Sequence, residues 1–78
     1  MKKTELMYEA LELKYKQEIA EAKATMMIYF EDSVGIGEHP QHIEEMDKIV
    51  EKLADAEDRL ATLQEFYKEM KSDDTEMV

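Results

Sequence analysis

From Met46 to Met70 the apolar side chains recur as Met46, Ile49, Leu53, Ala56, Leu60, Leu63, Tyr67 and Met70. The steps alternate between three and four residues, so these positions form the a and d stripe of a helix with a 3.5-residue repeat. Ile43, Val50 and Phe66 widen that stripe. A second rhythm precedes it, at Tyr8, Leu11, Tyr15, Ile19, Ala22, Met26 and Phe30. Its spacing averages 3.67 residues per turn and predicts one apolar side on a nearly straight helix from Thr4 to Phe30. Thr4 suits the N-cap of that helix and Glu5 its first turn. Leu6, Leu13, Ala20 and Met27 repeat every seven residues on another side of the same helix. A single partner helix cannot cover both sides. Leu6, Leu13, Met27, Ile28 and Tyr29 are therefore the candidate oligomer interface.

Both glycines and the only proline of the chain fall between Gly35 and Pro40, which marks residues 31–39 as the connection. Gly35 or Gly37 can end the first helix or turn the loop. Val34 and Ile36 are expected to fold back over the hairpin end, and Pro40 to open the second helix with His39 at its cap. The second helix is expected over 40–71, with Glu44 and Glu45 in its first turn and Lys68 and Lys71 in its last. Residues 72–78 read as an acidic tail. The fold class that follows is all-α: an antiparallel two-helix hairpin over 1–71 as a single domain.

Composition changes this picture mainly through size and charge. With 78 residues, a chain buries only about 60% of its unfolded surface. The hairpin is thus expected to dimerise into a four-helix bundle. The absence of cysteine excludes disulfides and thiolate metal sites and suits a reducing compartment. The longest apolar run, Met26–Phe30, has five residues, against the roughly 20 that span a bilayer. Glu5, Glu9 and Glu12 stand where a secretory signal would be apolar. A cytoplasmic location is expected, with no membrane partner. The net charge of -10 is uneven: residues 1–31 carry five cations and six acids, and residues 32–78 carry five and fourteen. Such a balance argues against direct nucleic-acid binding.

The acids of the second helix are ordered. Glu44, Glu51, Asp58 and Glu65 share one heptad position, about 10.5 Å apart along the axis. With Asp55 they form the candidate partner-binding face. That face is a solvated one that keeps a small dimer soluble, a docking surface for a protein partner, a host protein included, or a decoy of nucleic acid that occupies a basic cleft on a DNA- or RNA-binding host enzyme.

Catalytic chemistry has a weak basis. Glu9 and Glu12, Glu18 and Glu21, Glu44 and Asp47, and Asp55 and Asp58 are spaced i,i+3 and could hold Mg²⁺ for nucleotide hydrolysis only if they faced the bundle interior. Of these, Glu18 alone lies beside the apolar stripe as read from spacing. Gly35 and Gly37 lack the third glycine or Gly-Lys-Ser/Thr ending of a phosphate loop. His39 and His42 have no distant ligands to complete a zinc site. The chain is therefore read as non-enzymatic, with no cofactor, metal or catalytic residue assigned.

The stretch Tyr29–Pro40 (YFEDSVGIGEHP), followed by Ile43–Lys48 (IEEMDK) and Ala54–Leu60 (ADAEDRL), resembles small uncharacterised helical-hairpin proteins of tailed bacteriophages. Those carry a loop of the form Val-Gly-Ile/Val-Gly-Glu-His. The resemblance implies a hairpin shape and a phage origin, with the protein in the host cytoplasm or the virion. It brings no activity with it. The expected function is an oligomeric accessory or adaptor that binds another protein.

Overall fold

A computed structural model describes residues 2–31 and 41–76 as two helices, α1 (Lys3–Glu31) and α2 (Gln41–Glu76), joined as an antiparallel hairpin. At 1.5 Å per residue they run about 44 and 54 Å. The predicted connecting segment, with Val34, Gly35, Ile36, Gly37, His39 and Pro40, lies outside the described residues. Among the described residues no helix is long and apolar enough to cross a membrane.

The α2 stripe faces α1 as its spacing dictates. Met46, Ile49, Leu53, Leu60, Leu63, Tyr67 and Met70 are half-buried and Ala56 is buried. The inward side of α1 differs from the expected stripe. It consists of Glu5, Tyr8, Glu12, Tyr15, Ile19, Ala22, Met26 and Tyr29, again in steps of three and four. Leu11 and Phe30 sit outside this row, and Phe30 is 67% exposed. The physical reason is that two long antiparallel helices stay in contact only along a 3.5-residue seam. A 3.67-residue stripe would drift off the partner within a few turns. Keeping the seam costs α1 two glutamates in its inner row.

Two ring contacts fix the register. Tyr8 stacks on Tyr67 with centroids 3.9 Å apart and planes at 12°, and Tyr29 meets His42 edge-on at 5.7 Å. With Tyr8 opposite Tyr67, Ala22 falls opposite Leu53 and Ala56 opposite Ile19. A small residue thus faces a large one in each of the two central layers, which is how close-packed layers interdigitate. Ala22 and Ala56 are the buried residues, at 7% and 3% exposure; every other described side chain keeps partial access to water.

The helix ends also differ from expectation. The amide of Leu6 donates to the Lys2 carbonyl at 3.1 Å, so the helical ladder starts at Lys2, and Thr4 lies in the first turn instead of capping it. At the other end α2 continues to Glu76, and Lys68 and Lys71 are not in its last turn. No glycine or proline follows Pro40, and extending a formed helix costs far less than nucleating one.

Candidate functional site

The hairpin presents three features, two outward and one within the seam, and each follows from where the seam lies. The first is the α2 ridge. Glu44, Glu51, Asp58 and Glu65 all lie opposite the buried stripe and are exposed, as is Asp55. Asp55 accepts an ion pair from Arg59 at 3.1 Å, one turn away on the same helix. From Glu44 to Glu69, α2 carries nine acids and four cations, a net charge of -5 over about 38 Å. That is one net charge per about 7.5 Å, whereas duplex DNA carries one per about 1.7 Å and a single strand one per about 3.4 Å. The net charge along α2 is thus about twofold more dilute than that of a single strand and about fourfold more dilute than that of a duplex.

The second feature is the outward side of α1. Leu6, Leu13, Met27 and Ile28 are 53%, 57%, 59% and 65% exposed. The seam rotates them away from α2, and among the described residues they stay exposed. Tyr29, grouped with them from the sequence, points the other way and belongs to the inner row against His42. Ala10, Gln17 and Ala24, also exposed, were not singled out by the sequence reading. The signal was present: each falls between two members of the seven-residue series Leu6, Leu13, Ala20, Met27.

The third feature is a polar knot within the seam at Glu12. Its Oε2 accepts hydrogen bonds from the Tyr8 hydroxyl at 2.9 Å and from Gln64 Nε2 at 3.3 Å. Lys16 lies 3.7 Å from its other oxygen, and the Glu12 side chain keeps only 20% of its exposure. The hydrogen bonds from Gln64 and Tyr8 hold the Glu12 carboxyl below the ordinary glutamate range. Partial burial, with Glu12 beside it, pushes the Tyr8 hydroxyl up. Glu12 therefore sits in the interior row, a place that spacing alone assigned to none of the acids. Its role is structural: it ties the two helices together through Gln64.

This knot makes a pH prediction. A carboxylate favoured in the folded state stabilises it fully above the ordinary glutamate value and loses that effect as pH falls through its lowered value. The Tm gap between the native chain and Glu12→Gln should therefore be widest near neutrality and close at acid pH. Thermal melts in steps from about pH 7 to about pH 3 measure it. A gap that stays constant across this range would show that the Glu12 charge contributes nothing.

The acid pairs at i,i+3 do not converge. Glu9, Glu44, Asp47, Asp55 and Asp58 are exposed, Glu12 is engaged as above, and Glu18 is paired with Lys14 at 3.4 Å. Glu18 and Glu21 border a shallow groove of about 390 Å³ that Lys52 and Arg59 also line. Among the described residues no three His, Asp or Glu side chains come together as a metal site. His42 packs edge-on against Tyr29, and His39 lies outside the described residues.

No protein-family model, curated protein or solved structure matches this chain.

Proposed function

We propose that this hairpin is a non-enzymatic interaction protein, an oligomeric accessory or adaptor that joins copies of itself and docks another protein. One observation carries the reading: the chain has far more surface than a self-sufficient monomer. Its accessible surface is 6423 Å², whereas a compact monomer of 9.2 kDa would expose about 4,900 Å². The radius of gyration is 18.0 Å, against about 11.5 Å for a compact domain of this length. The excess of about 1,500 Å² exceeds the roughly 800 Å² per partner that a standard interface buries. Large apolar side chains on α1 account for part of it.

The two helices divide the labour. Oligomerisation uses the outward side of α1, and the acidic ridge of α2 is the face for a partner with a basic surface. The likeness of the central stretch to phage hairpin proteins supports a setting in the host cytoplasm or the virion, with a host protein as the partner.

The test joins affinity capture from native cells to a defined variant. Cross-linking mass spectrometry should place a captured protein along Glu51, Asp55 and Asp58. Reversing those three charges to lysine should abolish that capture, with unchanged helicity by circular dichroism. Capture that survives the reversal would remove the ridge from the function. A partner that proves to be a nucleic-acid-binding enzyme, inhibited in a ridge-dependent way, would favour the decoy reading.

A further inference from the structure

The outward side of α1 is a complete second seam. Leu6, Leu13, Ala20 and Met27 alternate with Ala10, Gln17 and Ala24 in steps of four and three, and all are exposed. At 3.5 residues per turn the midline of this seam lies about 150° around α1 from the one that α2 occupies. A helix with two heptad seams on nearly opposite sides can hold two neighbours at once. From this geometry we infer that the outward seam of α1 takes a second copy of this chain, parallel and in register. The inference rests on the proposed oligomeric function and specifies the pairing behind it.

Charge decides the orientation. The charged residues bordering the seam are Glu9, Lys16 and Lys23 on one side and Lys14 and Glu21 on the other. In a parallel pair, a border residue meets the one five positions further along the partner helix. Glu9 then faces Lys14 of the second copy and Lys16 faces Glu21, and both pairs have opposite sign. In an antiparallel pair that set Lys14 against Glu21, Lys16 would face Lys23 at like charge. Gln17 would stand opposite its own copy at the centre of the seam. A single polar residue at such a position is a device that fixes register. To form these pairs Lys16 leaves Glu12, whose side chain is only 20% exposed, and Lys14 leaves Glu18; both are single-helix contacts, of 3.7 and 3.4 Å, whose lysine ends are exposed and readily exchanged.

The same pairing suits the whole-chain charge. Residues 1–31 carry five cations and six acids, whereas residues 32–78 carry five and fourteen. Joining copies through α1 puts the near-neutral halves together and the acidic halves on the two far sides. Four helices then lie in a row, α2, α1, α1 and α2, instead of closing into a four-helix bundle.

Cysteine cross-linking tests this in the full chain, which has no native cysteine. Under mild oxidation, Leu6→Cys alone and Met27→Cys alone should each give disulfide-linked dimers, and an equimolar mixture should give only the two homodimers. In parallel pairing residues 6 and 27 are about 31 Å apart, out of disulfide range. A mixed disulfide between the two variants would overturn the parallel pairing. Sedimentation of the native chain separates the failures: a dimer that cross-links at neither position refutes this seam but keeps the oligomeric reading, and a monomer at all micromolar concentrations refutes both. Lys14→Glu should weaken the dimer about fivefold, and adding Glu9→Lys should restore it. An unchanged association constant in Lys14→Glu would contradict the register.

Discussion

Ala56→Leu should lower the Tm of this protein by roughly 4–24 °C. Ala56 is 3% exposed and lies opposite Ile19 in the central layers. Leucine and alanine are both strong helix formers, so propensity contributes little to the change. What changes is volume, and forcing extra methylene groups into a filled layer costs about 1–3 kcal/mol. A domain of this size loses about 4–8 °C per kcal/mol, and its total stability is on the order of 4–12 kcal/mol. Ala61→Leu provides the contrast. Ala61 is on the same helix but exposed, and its substitution should change stability by less than about 0.5 kcal/mol, a Tm shift under about 4 °C. Differential scanning calorimetry on the two variants decides the matter. Equal shifts would mean that Ala56 is not at a tight layer.

Leu13→Glu should abolish dimerisation and with it the dependence of Tm on protein concentration. For a folded dimer in equilibrium with unfolded chains, mass action raises the Tm as concentration rises. Burying a leucine contributes about 1.5–3 kcal/mol, and a symmetric pair loses two, which weakens association by on the order of 10² to 10⁴. Melts over a hundredfold range of concentration should show a rising Tm for the native chain and a flat one for the variant. Leu13 is 57% exposed in the single hairpin, so a purely structural effect on the monomer would be small. A native chain whose Tm is independent of concentration would defeat the prediction outright.

The two helices were unequally legible in the sequence. Along α2 the expected stripe is the buried one at every position from Met46 to Met70, because each seam residue there is apolar and the acids occupy the far side. Along α1 the same physics is disguised. Glu5 and Glu12 hold seam positions, and Leu11 and Phe30 lie beside the seam. A search for apolar side chains therefore starts one step late, at Tyr8, and follows the wrong row by one residue at Leu11 and Phe30. Tyr29 shows the same slip: it was grouped with Ile28 and Met27 as part of one apolar run, although successive helical residues are about 100° apart and only Tyr29 reaches α2. Glu12 was hidden because its hydrogen-bond donor Gln64 is 52 residues away. The exposed acidic ridge was legible from spacing alone, since a row seven residues apart opposite an apolar stripe has nowhere else to go.

The aromatic contacts that set the register also give the hairpin its own optical labels. There are four tyrosines, two phenylalanines and no tryptophan, so the long-wavelength part of the near-ultraviolet signal, beyond the phenylalanine bands, belongs to tyrosine. Tyr8 and Tyr67 stack at 3.9 Å near the end that carries the chain termini, and Tyr29 meets His42 near the end that carries the connection. Stacked and edge-on rings place their transition dipoles differently. Removing Tyr67 or Tyr29 singly would therefore assign a circular-dichroism band to each end. Fraying at one end, or a partner arriving there, could then be read without any attached dye.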